Sequence, residues 1–148
     1  MRLVIQRVKN ASCTVEGKIT GQINKGYMIL VGMGQGDEKE VVERFAMKVS
    51  KLRIFDDENG KMNLSIHDVS GSILSISQFT LYADASKGNR PSFVNAMEPA
   101  KAKELYLYFN ECLRKENLIV EEGIFGADMK IDLCNDGPVT IIFDSKEM

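Results

Sequence analysis

Hydrophobic and polar positions alternate along residues 2–8, the period of a strand with one buried face. Residues 12–16 and 18–23 flank Gly17 and read as a hairpin. From Tyr27 to Met33 the run is continuously apolar, as in a strand covered on both faces. The period then lengthens. Val41, Val42, Phe45, Ala46, Val49 and Leu52 share one face of a helix that Asp37 opens, with Glu40 three residues on completing a capping box. Residues 53–56 return to a strand, followed by the turn-rich Asp56-Asp57-Glu58-Asn59-Gly60. Residues 72–81 form another apolar, β-branched stretch. Pro99 suits the first turn of a second helix, with Leu105, Tyr108, Phe109 and Cys112 facing inward. Residues 118–122, 128–134 and 139–143 read as three closing strands, the last two joined by a hairpin turn through Asn135-Asp136-Gly137-Pro138. Two helices and about eight strands place the chain in the α/β or α+β class with a large sheet component.

At 148 residues the chain is long enough for a full core but short for two domains, so one domain over 1–148 is expected. The net charge of -2 argues against a grip on long nucleic acid, which calls for a basic surface. Any nucleic-acid contact should be confined to an end or a single nucleotide. MRLVIQRVKN has neither an apolar signal core nor a small-residue cleavage site, and no apolar run is long enough to span a membrane. Cys13, Cys112 and Cys134 are scattered and odd in number, which fits buried thiols in a reducing cytoplasm.

The candidate chemistry is narrow. His67 is the only histidine, stands in a turn-like segment, and reads as a surface or structural residue. No zinc, Cys-pair or phosphate-loop motif occurs, so no metal and no cofactor are expected. Gly32-Met33-Gly34-Gln35-Gly36 lies between a strand and a helix, but its third glycine comes one residue too early for a dinucleotide fingerprint, and a tight turn explains it. An enzyme built this way would work by positioning, by main-chain N–H donors, or with a group borrowed from its substrate.

Four stretches look unlike plain core or surface. Ser77-Gln78-Phe79-Thr80-Leu81 breaks an apolar strand with polar residues. Gly88-Asn89-Arg90-Pro91-Ser92-Phe93 is a loop with one cation. Gly123-Ile124-Phe125-Gly126-Ala127-Asp128-Met129 sets two glycines around a phenylalanine able to stack on a base. Asn135-Asp136-Gly137-Pro138-Val139-Thr140 is the fourth. Together, and with MRLVIQRV, Leu52-Arg53-Ile54-Phe55 and Gly60-Lys61-Met62-Asn63, they cover the whole chain and resemble the D-aminoacyl-tRNA deacylase family. The SQFTL and NDGPVT segments carry the specificity of that resemblance. Relatives that clear L-alanine from a threonine tRNA resemble the fold but differ in SQFTL. A non-catalytic module binding the tRNA 3′ end is the other alternative.

The resemblance implies a layered β/β/α homodimer that hydrolyses the ester of D-aminoacyl-tRNA, and of glycyl-tRNA mischarged on an alanine tRNA. It implies that Gly137-Pro138 is a cis dipeptide reaching into the partner's pocket, where a main-chain wall excludes every L side chain. Catalysis is assigned to Ser77, Gln78, Phe79 and Thr80. Thr80 is the nucleophile by residue type, yet no base stands near it in sequence. Attack by water assisted by the 2′-OH of the terminal adenosine, with Phe79 and Thr80 N–H groups holding the oxyanion, is the favoured route. Substrate binding is assigned to Phe125, Gly126 and Met129 as the adenine pocket, with Ala127, Asn135 and Thr140. Arg7 is either a surface residue or a brace for the Gly137-Pro138 loop.

Overall fold

The structure, a computed structural model, describes residues 1–148. Its elements run β1 (Arg2–Val15), β2 (Lys18–Ile23), β3 (Gly26–Gly32), α1 (Lys39–Lys51), β4 (Arg53–Asp56), β5 (Met62–Ser65), β6 (Ser72–Ser77), a short 3-10 helix (Phe79–Tyr82), α2 (Pro99–Lys115), β7 (Val120–Glu122) and β8 (Lys130–Asp144). Eight strands and two α-helices match the expected mixed class. Six strands form one sheet in the order β2-β1-β3-β6-β7, with β8 on β1; β4 and β5 form a separate pair. β3, β6 and β7 run parallel, and the remaining pairs are antiparallel.

β1 is a single long strand where the polarity pattern suggested two. Its first half pairs with β3 and its second half with β2, while β8 follows it along most of its length. Apolar side chains on both faces of β3 explain its unbroken hydrophobic run. Tyr27, Ile29 and Val31 join the main core with Phe45, Val49, Leu105 and Phe109 of the helices. Met28 faces the other way, into a smaller core with Val8, Cys13, Leu74 and Ile76.

Four local expectations fail, each for a tertiary reason. Asp37 does not cap α1. Glu38 holds the cap position without a side-chain bond, and the buried Asp37 carboxylate instead accepts the Gly34 N–H at 2.6 Å and pairs with the Met1 amino group. The apolar stretch 72–81 is a strand only to Ser77, then tightens into the 3-10 helix. On α2 it is Tyr106, not Tyr108, that is buried beside Leu105 and Phe109. Tyr108 reaches out to Glu43, Cys112 is half-buried, and of the three cysteines expected to be buried only Cys13 is, with Cys134 exposed on β8.

The fourth is the largest. There is no hairpin at Asn135-Asp136-Gly137-Pro138, because 128–134 and 139–143 do not pair with each other. Their residues from Lys130 onward belong to β8, and both flanks pair with β1. Gln6 faces Thr140 and Val8 faces Asn135, so the single residue Arg7 stands opposite Asp136, Gly137, Pro138 and Val139. The segment is a large bulge in an edge strand, a setting that readily takes a proline.

Candidate active site

β3 and β6 end side by side at Gly32 and Ser77, and the chain beyond them shapes a cavity of about 270 Å³. Crevices at the carboxyl ends of parallel strands are common ligand sites. One rim is Ser77, Gln78 and Phe79; the opposite rim is Phe125, Gly126, Ala127, Asp128 and Met129, with Ala102 and Tyr106 of α2 behind. Two segments far apart in sequence thus meet. The Gln78 N–H donates to the Val31 carbonyl at 2.8 Å, which ends the β6 pairing and turns the chain into the 3-10 helix. Like the first amides of any helix, those of Phe79 and Thr80 have no protein acceptor, so two N–H donors stay free next to the cavity.

Phe79 is exposed and meets Phe93 edge-on at 5.1 Å, which brings the Gly88–Phe93 loop to the cavity mouth. The loop is closed by paired main-chain bonds between Asp84 and Ser92, both 2.8 Å. Phe125 leans on Tyr106 at 6.0 Å. The Thr80 hydroxyl accepts from the Gln78 side-chain amide, a partner that cannot take its proton. His67 lies exposed in the turn after β5.

A second cluster surrounds the β8 bulge. Arg7 is only 6% exposed, which settles the surface alternative against it. Its guanidinium donates to the Ile54 carbonyl at 2.7 Å and the Asp136 carbonyl at 3.0 Å, and lies 3.4 Å from the Asp56 carboxylate. Gly137 has φ +126, and a Cβ there would fall 3.1 Å from Arg7 Nη2 and 2.9 Å from Val139 Cγ2, so glycine is required. The Gly137-Pro138 peptide is cis, and both residues are exposed. Thr140 donates its hydroxyl to the Gln6 side chain at 2.5 Å. Asn135 is exposed opposite Val8.

Within one chain, then, Ser77, Gln78, Phe79, Phe125, Gly126, Ala127 and Met129 line the cavity, while Thr80, next in sequence to Phe79, does not. Arg7, Asn135, Gly137, Pro138 and Thr140 do not line it. Sequence reasoning missed Ala102, Tyr106 and Asp128 as lining residues, together with the apolar Val31, Met33, Ile76 and Ile131. The four-residue spacing of Ala102, Tyr106 and Asn110 on one helical face was the available signal. No three His, Cys, Asp or Glu side chains cluster in a way that could hold a metal ion.

A mixed sheet with a polar-rimmed crevice and free main-chain donors suits the hydrolysis of a polarised carbonyl, and comparison with known proteins specifies which kind. Residues 4–144 match the D-Tyr-tRNA(Tyr) deacylase family, hydrolases that act on ester bonds, and the chain belongs to that family. D-aminoacyl-tRNA deacylases of Deinococcus deserti and Lactobacillus gasseri are 59% and 55% identical to it, each comparison covering 97% of this chain and 99% of the relative. Among solved structures, the c-Myc DNA unwinding element binding protein superposes with a TM-score of 0.91 at 41% identity, covering 98% of this chain and 99% of that one.

Proposed function

We propose that the cavity receives the aminoacylated 3′ end of tRNA and that the ester to a D-amino acid is hydrolysed at its Phe79-Thr80 rim. D-aminoacyl-tRNA deacylation itself follows from family membership; the site and mechanism are the proposal. The observation that carries it is the pair of free N–H groups on Phe79 and Thr80 beside a cavity walled by Phe125. Water attacks the ester carbonyl, its oxygen becomes an oxyanion, and preplaced amides stabilise that charge without reorganising. The leaving 3′ oxygen takes a proton as the bond breaks. The terminal ribose 2′-OH assists the attack, since the Thr80 hydroxyl has only an amide beside it. Phe125, Gly126 and Met129 hold the adenine, and Ser77 and Gln78 orient the ribose or the ammonium.

Chirality is read by a second copy of the chain. Gly137 and Pro138 are exposed, lie outside their own cavity, and are held from behind by Arg7. A twofold dimer presents each such segment to the other protomer's cavity, where main chain blocks the direction of an L side chain. Glycine has no side chain to block, so glycyl-tRNA is also a substrate. A cytoplasmic site of action accords with the three unpaired cysteines. The test is release from D-tyrosyl-, L-tyrosyl- and glycyl-tRNA, with and without a 2′-deoxy terminal adenosine. Loss of the D and glycyl esters alone, abolished by the 2′-deoxy end, is expected. Binding without release would replace the reading with a tRNA-end binding module, and a fully selective monomer would remove the shared site.

A further inference from the structure

The cavity's back wall contains polar atoms that the chemistry above does not use. Tyr106, on α2, lines the cavity with its ring and donates its hydroxyl to the Ser75 carbonyl at 2.7 Å. One turn further along α2, Asn110 is fully buried, and neither its Oδ1 nor its Nδ2 has a hydrogen-bond partner in the protein. Ser75 Oγ, also fully buried, is unpartnered as well. Both side chains lie near the Tyr106 hydroxyl without a hydrogen bond of ordinary geometry to it; burial raises its pKa, and these two neighbours pull the other way. Three orphaned atoms therefore gather around one phenol.

Leaving a buried amide wholly unpaired costs more than a domain of marginal stability readily carries. Buried waters typically make about three hydrogen bonds to otherwise unsatisfied groups. We propose that Asn110 and Ser75 enclose one internal water which, with the Tyr106 hydroxyl, locks the Tyr106 ring as the rigid back wall of the cavity. The water accepts from Asn110 Nδ2 and the Ser75 hydroxyl, and donates to Asn110 Oδ1 and to the Tyr106 oxygen. Tyr106 keeps its hydroxyl pointed away from the cavity, towards the Ser75 carbonyl, and offers the ligand only an aromatic surface. Phe125 rests on that surface, so the network sets the place of the wall on which the terminal adenine stacks. Asn110 is thus a positioning residue, and this role rests on the reading that the cavity holds the tRNA end.

Two measurements test it. A high-resolution crystal structure of the unmodified protein should show density within hydrogen-bond distance of Asn110 and Ser75 Oγ. An empty site, or Asn110 bonded directly to Ser75, overturns the water. Kinetically, Y106F and N110L should each raise KM for D-tyrosyl-tRNA about five- to tenfold, the equivalent of one or two hydrogen bonds, with kcat little changed. The double variant should raise it no further, because both changes break one network. Unchanged KM with only a lower Tm, or additive effects on KM, overturns the positioning role. Y106F preserves the ring's shape, so it stays informative if N110L folds poorly. If the unmodified protein releases no D-amino acid, the functional reading and the kinetic half of this inference fall together, while the density still decides the water.

Discussion

Replacing Arg7 with methionine keeps most of the aliphatic stem and removes the guanidinium. Two main-chain carbonyls lose their donor: Ile54, which is buried, and Asp136, which is partly exposed. A buried acceptor left unpaired costs about 1–3 kcal/mol, and one that water can reach costs nearer 1 kcal/mol. The ion pairs with Asp56 and Asp136 add little, since those carboxylates are 53% and 33% exposed and sit at 3.4 and 3.8 Å. Relief of the buried charge offsets part of the loss. The net is about 1–3 kcal/mol, or a Tm lowered by about 3–10 °C for a chain of this length. The larger effect should fall on selectivity. Arg7 is the side chain that spans the gap opposite Asp136–Val139, so without it the segment loses its backing. A wall displaced by about 1 Å can cost two orders of magnitude. The ratio of D- to L-tyrosyl-tRNA release should therefore fall by at least about tenfold. R7K, with one compact ammonium in place of a fork, should lie between. R7M with the Tm and the D/L ratio of the unmodified protein would refute both the burial reasoning and the role of the bulge.

Three further outcomes are expected. Phe125→Ala should raise KM about 5- to 100-fold, the worth of one stacked base, while kcat changes less; steady-state kinetics on D-tyrosyl-tRNA checks this. Thr80→Val, which keeps the main-chain N–H, should retain most of kcat, and an inactive but folded T80V would make the hydroxyl the nucleophile. Glu98 accepts the Ala100 N–H at 2.9 Å and the Lys101 N–H at 3.1 Å, and these bonds lower its pKa in the folded state. Its stabilising contribution is therefore complete above the ordinary glutamate range and is lost as pH falls through the lowered value. The Tm difference between the unmodified protein and E98Q should shrink on acidification; a difference that grows would reverse the sign.

Features governed by local periodicity were legible in the sequence. The doubly covered β3, the buried face of α1 and the start of α2 at Pro99 follow from spacing alone. The two rims of the cavity, around Ser77-Gln78-Phe79 and Phe125–Met129, stood out because polar or glycine residues interrupted apolar runs. What escaped depends on partners distant in sequence. Asp37 has good capping chemistry, but the Gly34 amide and the Met1 amino group bind it first. Tyr106 and Tyr108 lie two residues apart on one helix; the Ala102-Tyr106-Asn110 spacing hints at the covered one, and the packing of α2 against Ser75 and Phe125 decides it. Asn-Asp-Gly-Pro is turn chemistry, yet both of its flanks are held by β1. Arg7 occupies a position that alternation alone leaves undecided, and the Ile54 carbonyl from β4 is what draws it inside.

That bulge also bears on how the molecule can change. Gln6–Thr140 and Val8–Asn135 pin its two ends one residue apart along the same strand. Apart from Gly137 and the Asp136 carbonyl that Arg7 holds, changes of sequence or length between them can be absorbed locally while the other cross-strand partners of β1 and β8 keep their places. The bulge is in this sense a replaceable fitting on a fixed frame. Variation there can reshape an exposed loop without disturbing the cavity or the core.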